Sequence, residues 1–320
     1  MGRRLACNPS MAAETGSFDS DMGAVTPILG AALTDISRDI DHLFDRFLTV
    51  PADARAPLYD AMRHASIGGG KRMRPLLVVA AAALFNVDRN AALRVGCAIE
   101  AIHVYSLIHD DLPCMDDDDM RRGKPTVHKA FSEAIAVLAG DSLHAFAFEL
   151  LVDGATHADP FVRIELIDGL ARASGPGGMA GGQMMDIAAE TSAFDLAAVT
   201  RLQAMKTGAL IAFSVEAGAI LGRLPPEGRS SLRGYARDIG LAFQIADDLL
   251  DIEGDADLAG KALRKDEEKG KATFLSLLGV DRARAQAGML VEQAIGHLHS
   301  FGAEADLLRA IARYAVERDR

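Results

Sequence analysis

The sequence predicts an all-α protein built as a single large helical domain with a central cavity. Apolar residues recur at three- and four-residue intervals along most of the 320 residues, the spacing of one face of an α-helix. No segment clearly shows the alternation of polar and apolar residues that is typical of half-buried strands. Ala, Leu and Ile dominate the apolar residues, and aromatic residues make up only 5%, which favours helices over sheets.

Each helix is predicted from its apolar periodicity and from the residues that bound it. Residues 26–50 have one apolar face, and Pro51 and Pro57 separate this helix from the next. Residues 90–109 are apolar nearly all round, so their helix is expected at the centre of the core. The other predicted helices span residues 58–67, 76–86, 132–152, 160–173, 196–221, 229–252, 274–278, 282–301 and 303–316.

The ends of the chain set the expected domain boundaries. Residues 1–25 are polar, rich in small residues and without the apolar stretch of a signal peptide, so we expect a disordered tail. The domain is then residues 26–320, because no linker divides the chain between about 26 and 318. We expect no segment to be long and apolar enough to cross a bilayer, since the most tempting run, residues 78–85, is too short. We therefore expect no membrane insertion.

Charge and cysteine content restrict the possible functions. The formal net charge of -11 argues against a nucleic-acid partner, which requires a basic surface, but it is compatible with a local basic pocket. The three cysteines are too few and too scattered for a disulfide framework or a zinc site. They fit a reducing compartment.

The most informative stretch follows the central apolar helix. The helix runs into Asp110 and Asp111, a break containing Pro113 follows, and residues 116–119 are all Asp. Carboxylate oxygens suit Mg²⁺, which proteins usually hold with one or two carboxylates plus substrate phosphates and water. Arg121 and Arg122 follow at once and suit phosphate. Most acidic runs are solvated loops, but a solvated loop would not usually continue an apolar helix without a break.

A second acidic group lies on the predicted helix 229–252. Gln244, Asp247 and Asp251 occupy positions i, i+3 and i+7 and share one helix face, with Asp248 beside them. Carboxylates one turn apart on an otherwise apolar helix destabilise it unless they are paired or bind a metal. A polar, basic segment follows, which resembles a lid; it contains Lys261, Lys265, Lys269 and Lys271.

Three smaller features each have two interpretations. Residues 68–75 combine three glycines with Lys71, Arg72 and Arg74, which indicates either a phosphate-binding turn or an ordinary basic loop. His103 lies one heptad before Asp110 on the same helix face. It is either a phosphate contact or a structural histidine. The glycines between 177 and 182 indicate close helix packing, around a ligand or simply against another helix.

Lys206 and Thr207 are unusual because they interrupt an apolar helix. Lysine is almost never fully buried without a partner. Two acidic sets that converge with Mg²⁺ between them would hold a diphosphate, while basic groups contact its other oxygens; we expect Arg121, Arg122, Lys206 and Lys261 in that role. The apolar helices beneath would form a pocket for a prenyl chain. Ionisation of an allylic diphosphate leaves a carbocation, which Gln244, Thr207 and backbone carbonyls would stabilise.

These motifs resemble those of the short-chain trans-prenyl diphosphate synthases of the polyprenyl synthetase family, most closely the bacterial farnesyl diphosphate synthases. Asp110-Asp111-x-x-x-x-Asp116 with Arg121-Arg122 is similar to the family's first aspartate-rich motif. Phe243-Gln244-x-x-Asp247-Asp248-x-x-Asp251 is similar to the second. Smaller similarities lie at residues 70–75, at Lys206-Thr207-Gly208 and at Gly270-Lys271, in order along residues 27 to 318.

The resemblance implies the isoprenoid synthase type I fold and a set of roles. Isopentenyl diphosphate would be bound by the Gly70 turn, Lys71, Arg74, His103 and Arg122. The allylic diphosphate would be bound by Arg121, with Lys206, Lys261 and Lys271 assisting, and Lys206, Thr207 and Gln244 would act in catalysis. Mg²⁺, or Mn²⁺ in its place, would be held by Asp110, Asp116 and Asp247, with Asp111, Asp248 and Asp251 close by. The resemblance also implies 1′-4 head-to-tail condensation, a homodimer and a cytoplasmic location.

Product length is a further expectation. Tyr105 lies five residues before Asp110, which at about 1.5 Å per residue is roughly 7.5 Å down the helix. Tyr105 would close the pocket beneath a C15 chain, with the smaller Ser106 beside it. The sequence Cys114-Met115-Asp-Asp also resembles the corresponding sequence of geranylgeranyl diphosphate synthases, so a C20 product is the alternative.

Three other classes are the rivals. A class I terpene cyclase usually carries an Asn-Ser-Glu type second motif in place of Asp247-Asp248-x-x-Asp251 and has no use for an isopentenyl-binding set. A non-catalytic regulatory subunit tends to lose one acidic motif, and both are present here. A helical scaffold protein would leave the carboxylate clusters unexplained.

Overall fold

The structure is a computed structural model that describes residues 26–253 and 274–317, with the backbone alone at 251–253. The predicted tail at residues 1–25 and the lysine-rich segment with Lys261 and Lys271 lie outside the described residues. The first six helices are α1 (Pro27–Phe47), α2 (Ala56–Ser66), α3 (Met73–Ala83), α4 (Arg89–Asp110), α5 (Val127–Ala130) and α6 (Glu133–Val152). The later helices are α7 (Pro160–Ser174), α8 (Met179–Ala189), α9 (Leu196–Gln203), α10 (Ala209–Leu221), α11 (Ser230–Glu253), α12 (Phe274–Leu278), α13 (Val280–His297) and α14 (Asp306–Tyr314).

The all-α prediction is confirmed, with one small exception. Met120–Arg121 and Lys124–Pro125 form two short antiparallel strands, β1 and β2. They hydrogen-bond to each other in a hairpin that contains Gly123 at φ +74°. This hairpin was missed because two residues per strand are too few to show an alternating pattern.

Local sequence explains where several helices begin. The Asp88 side chain accepts a hydrogen bond from the amide of Ala91 at 3.1 Å at the start of α4. Ser132 accepts from the amide of Ile135 at 3.2 Å and caps α6. Asp159 and Asp195 cap α7 and α9 in the same way. Each cap satisfies an amide that the helix itself leaves without a partner.

Helix α4 occupies the centre of the core, as its apolar sequence predicts. It packs against both α3 and α6, and most of its residues between Ala92 and Ile108 are buried. Helix α3 packs in turn on α10, where a Cβ placed on Gly218 would lie 2.5 Å from the amide nitrogen of Ala82. Only glycine allows these two helices to approach so closely.

The predicted long helix over residues 196–221 is present, and it contains one irregularity. A π-helical turn, Ala204–Gly208, lies inside it, divides it into α9 and α10, and contains Lys206 and Thr207. An interruption of this kind inserts extra backbone into a helix and is often found at functional sites. The apolar sequence with Lys206 and Thr207 in its middle predicted a helix here, but it did not predict the π-helical turn.

The expectation that no segment is long and apolar enough to cross a membrane is wrong. Among the residues that the structure describes, three helical segments meet that description by length and composition alone: Arg89–Asp110, Glu133–Val152 and Leu196–Leu221. In the first and third, 67% and 56% of the most apolar window is buried inside the protein, so burial in the core explains their composition. In α6 the buried share is 44%, and this helix keeps an exposed apolar face.

Candidate active site

The loop after α4 folds back so that Asp116 returns to Asp110. The amide of Asp116 donates a hydrogen bond to the carbonyl oxygen of Asp110 at 2.8 Å, and the amide of Asp117 donates to Leu112. Asp117 takes the left-handed conformation at φ 51° that this tight loop requires. The loop therefore places Asp110 and Asp116 side by side although six positions separate them in the sequence.

The electrostatics of Asp110 fit a cation-binding carboxylate. Burial raises its pKa to about 6; Lys206 and Arg121 act to lower the pKa, and Asp116 and Asp111 to raise it. The acid group is thus unstable as an anion in a place where further carboxylates surround it. A divalent ion would remove that repulsion, and its preferred ligands are the oxygens that this cluster provides.

Asp111 is held by Arg121. The side chain of Asp111 is 4% exposed, and its Oδ1 lies 2.6 Å from Nε of Arg121 and 2.5 Å from Nη2. Arg121 stands on β1, and its second contact is with Asp118 at 3.5 Å. Asp111 therefore orients Arg121, in addition to any contact that Asp111 makes with a metal ion.

The Gly-rich turn is joined to the hairpin. Lys124 Nζ donates to the carbonyl oxygen of Ile67 at 2.9 Å. A Cβ on Gly70, which has φ +82°, would meet the guanidinium carbon of Arg122 at 2.7 Å. Glycine at this position therefore leaves the space that the Arg122 side chain occupies. A cavity of about 50 Å³ remains between this turn, the hairpin and α4, too small for a prenyl chain.

A second basic group forms behind this turn. Burial is the main cause that lowers the pKa of Arg74, whose electrostatic neighbours are Glu100, Arg122 and Asp247. Burial also holds the pKa of His103 well below its ordinary value, and Arg74 and Arg122 act in the same direction. His103 is therefore a neutral imidazole at neutral pH. Among the described residues Arg74 Nε has no hydrogen-bond partner, so a donor remains available for an anion.

Lys71 lies at the edge of this group. Its side chain is exposed, and Nζ lies 5.4 Å from the centre of the Tyr314 ring on α14. A cation over an aromatic ring is a weak attraction at an exposed site. Lys71 is thus an exposed cation beside the Gly-rich turn, with the Tyr314 ring as one of its neighbours.

The π-helical turn carries Lys206 and Thr207 to α11. A Cβ on Gly240 of α11 would lie 3.5 Å from Cα of Gly208, so the backbones of the turn and the helix are in contact there. Gln244, which is buried, follows Gly240 by about one turn, and Asp247 by about two. Lys206 is close enough to Asp110 to lower its pKa. The turn thus connects the end of α4 with the acidic face of α11.

Asp186 on α8 is a functional candidate that the sequence analysis did not assign. Its Oδ2 lies 2.8 Å from Nζ of Lys206. On the same helix, Gln183 Oε1 is buried and without a hydrogen-bond partner among the described residues. The sequence indicated only that Lys206 needs an anionic partner. Asp186 lies twenty residues away in the chain, so which residue is that partner depends on how α8 packs.

The remaining predicted residues are placed as follows. The carboxylate of Asp248 accepts a hydrogen bond from the amide of Phe274 at 2.9 Å and so also fixes the start of α12. The Tyr105 ring lies edge-on to the rings of His109 and His144, with centroids 5.7 and 5.1 Å away. Ser106 donates its hydroxyl to the carbonyl oxygen of His103 at 2.9 Å. The side chain of Asp251 lies outside the described residues.

A further group of potential metal ligands stands beside the loop. One atom each of Asp117, Asp119 and His128 lie within 4.8 Å of one another. One carboxylate oxygen of Asp119 is paired with Lys129 at 2.8 Å, and both carboxylates are exposed. This arrangement was not predicted, because His128 follows the hairpin that the sequence did not reveal.

Comparison with known proteins decides the family. The polyprenyl synthetase profile matches residues 55–313. The chain belongs to the polyprenyl synthetase family. It is 41% identical over 290 residues to a farnesyl diphosphate synthase of Geobacillus stearothermophilus, covering 90% of this chain and 95% of the relative. It is 43% identical to a chloroplastic geranylgeranyl pyrophosphate synthase of Catharanthus roseus, covering 83% and 75%.

A solved structure agrees with this assignment. The structure described as an FPP/GFPP synthase from Zymomonas mobilis is 62% identical, with a TM-score of 0.83, and the match covers 90% of this chain and 99% of that one. The predicted family and fold are confirmed, and the chain is a prenyltransferase.

Proposed function

We propose that this member of the polyprenyl synthetase family condenses isopentenyl diphosphate head-to-tail with dimethylallyl and geranyl diphosphate to give farnesyl diphosphate. The observation that carries the proposal is the presence of two basic groups beside one acidic cluster. Arg121 and Lys206 accompany Asp110, while Arg74, His103 and Arg122 gather behind the Gly-rich turn. A condensation of two diphosphates needs two such groups, whereas a cyclase acting on one diphosphate needs one.

Asp110, Asp116 and Asp247 are the residues that would hold Mg²⁺, or Mn²⁺ in its place, and the bound ions would neutralise the allylic diphosphate and make it a leaving group. Lys206 and Arg121 would bind the remaining phosphate oxygens as charged donors. Thr207 and Gln244 present oxygen atoms that stabilise the allylic carbocation without capturing it as a strong nucleophile would.

The second substrate is held by the other basic group. Arg74 and Arg122 are rigid, planar donors that suit a diphosphate, and neutral His103 adds a hydrogen bond without a further charge. The allylic C–O bond breaks first and pyrophosphate departs with the bonding electrons; the isopentenyl double bond then attacks the resulting carbocation and forms the new C–C bond. Loss of a proton from the new cation, to the departing pyrophosphate, completes the product.

Tyr105 would limit the product to C15. Its ring packs edge-on against His144 of α6. Burial and Asp110 raise its pKa, so the side chain lies near the acidic end of α4. Relatives described as geranylgeranyl and FPP/GFPP synthases make C20 and longer products the alternatives to be measured.

A homodimer fits the exposed face of α6. Val137, Leu138 and Val152 on α6 and Phe161 and Ile164 on α7 are exposed large apolar side chains. Side chains of this size usually mark an interaction surface when they gather on neighbouring helices. A second copy of the same chain would cover them by a two-fold contact. Sedimentation of the purified protein, alone and as Leu138→Asp, measures this; a monomer at micromolar concentration in both would contradict it.

The function is tested with labelled isopentenyl diphosphate and Mg²⁺, supplied with dimethylallyl, geranyl or farnesyl diphosphate in turn. Identification of the products by chain length gives the primer preference and final product together. Cyclic hydrocarbon products from a single diphosphate would indicate a cyclase. A lack of turnover that a partner chain restores would indicate a regulatory subunit. We further propose a cytoplasmic location, in keeping with the family resemblance, and fractionation of the source cells measures it.

A further inference from the structure

Arg72 occupies an unusual position at the base of the Gly-rich turn. It precedes α3 directly, and its backbone is left-handed at φ 51° and ψ 38°. Its side chain is fully buried, whereas the preceding Lys71 is exposed. A left-handed backbone is strained for a residue with a Cβ, so the surroundings must hold it in place.

Three helices contribute partners to the guanidinium of Arg72. Nη1 donates to Oε1 of Glu100 on α4 at 2.9 Å, and Nη2 donates to Oδ1 of Asp41 on α1 at 2.6 Å. Nη2 also donates to the carbonyl oxygen of Ser66 at the end of α2. The side chain of Glu100 is 2% exposed, so this pair is removed from water almost completely. We call Arg72 with Glu100, Asp41 and Ser66 the Arg72 anchor.

The Arg72 anchor lies directly under the second basic group. Arg74 follows Arg72 by two residues, and His103 follows Glu100 by three on the same helix. The carboxylate of Glu100 acts electrostatically on both Arg74 and Arg122. Any shift of the turn would therefore move the donors on both sides of it.

We propose that Arg72, held by Glu100 and Asp41, is a positioning residue for the isopentenyl diphosphate site. Its side chain points inwards and fixes the left-handed turn, which in consequence presents Lys71 and Arg74 to the diphosphate in a defined arrangement. This inference rests on the proposed function, since it assigns a role within the second substrate site.

Stability alone is a weak reason for such an arrangement. Burying two charges costs desolvation that their attraction often only balances, and apolar residues of the same size commonly serve as well. The combination of a buried ion pair with a strained backbone is more readily explained by the geometry it imposes on its neighbours.

The experiment compares the steady-state kinetics of variants of the Arg72 anchor with those of the wild-type enzyme. Arg72→Lys retains the charge and loses the fork, and we expect KM for isopentenyl diphosphate to rise about tenfold. KM for geranyl diphosphate and kcat should change less than about threefold, because the other substrate site is untouched. The double variant Arg72→Met with Glu100→Met removes both buried charges and should recover thermal stability relative to Arg72→Met alone, while KM for isopentenyl diphosphate stays raised.

Asp41→Asn is the mildest change, since Asp41 is partly exposed and the Arg72–Glu100 contact remains. It should raise the same KM by a smaller factor, and it keeps the test valid if the buried variants do not fold. Arg229→Met provides a matched control: Arg229 is similarly buried and paired with Glu165, away from the turn, so it should lower the melting temperature without changing either KM.

Two results would overturn the inference. One is a folded Arg72→Lys or Asp41→Asn enzyme with an unchanged KM for isopentenyl diphosphate. The other is a double variant that regains wild-type KM with its stability, which would make the pair purely structural. Absence of condensation by the wild-type enzyme would instead refute the proposed function, so the two failures are distinguishable.

Discussion

Lys206 Nζ lies 2.8 Å from Asp186 Oδ2, and this contact joins α8 to the π-helical turn beside the end of α4. Both side chains are partly buried, with 29% and 16% exposure. Lys206 lies near Asp110, and the carboxylate of Asp186 helps to fix the orientation of its side chain. Under the proposed function, we expect Asp186 to hold Lys206 in place for the allylic diphosphate.

Asp186→Asn should consequently lower kcat by about ten- to a hundredfold, since a small misplacement of a catalytic group can cost that much. Steady-state kinetics with geranyl diphosphate varied will show it. Asp168→Asn is the control, because Asp168 pairs with Arg172 at an exposed position on α7. Equal rates for both variants would show that the contact has no role in turnover.

Gly182→Ala should unfold the π-helical turn or destabilise the protein. A Cβ at this position would lie 2.2 Å from the amide nitrogen of Lys206 and 2.5 Å from its Cα. Backbone cannot yield as a flexible side chain can, so we expect a loss of about 1–3 kcal/mol or more in the free energy of unfolding. At Gly177 a Cβ meets nothing within 4 Å, so Gly177→Ala should be tolerated. Urea denaturation of both variants measures the difference.

Asp110→Asn should stabilise the metal-free protein while abolishing turnover. The pKa of Asp110 is raised from 3.8 to about 6 by burial. A group whose folded-state pKa is raised contributes stability below its unfolded pKa and loses it as pH rises through the folded pKa, here between about pH 4 and 6. The amide does not ionise, so above pH 6 the variant should gain roughly 1–3 kcal/mol over the wild type in EDTA.

Added Mg²⁺ should reverse that order, because ligand binding stabilises the folded state that binds it. Denaturant melts at pH 4.5 and 7.5, with EDTA or with Mg²⁺, measure both effects. A variant that stays less stable than the wild type in EDTA at pH 7.5 would contradict the account of Asp110.

Arg121→Met should destabilise the protein strongly at neutral pH. The change leaves the buried Asp111 carboxylate without its main partner, at a cost of about 3–5 kcal/mol for a broken buried pair. The loss should shrink in acid, where Asp111 takes up a proton and its charge disappears. Melting temperatures at pH 7 and pH 4.5 test this; a deficit independent of pH would show that lost packing and not charge is responsible.

Tyr105→Ala should lengthen the product. Removal of the ring opens space beside His109 and His144 that a chain longer than C15 can enter. Analysis of the products by chain length checks it, with Tyr105→Phe as the control that keeps the ring. An unchanged distribution would place the end of the pocket elsewhere. His144→Ala should have a smaller effect in the same direction, because His144 packs against the Tyr105 ring.

The sequence by itself determined the helical class, the central position of α4 and the two acidic motifs with their basic companions. These features are local: the face of a helix follows from residue spacing, and an acidic run after an apolar helix is visible without knowing what it meets. Tertiary structure alone decided that Asp186 pairs with Lys206, that Arg72 turns inwards to Glu100, and that residues 204–208 form a π-helical turn. A buried charge requires a partner, but which partner it finds depends on the packing of helices distant in the chain, and no local pattern records that choice.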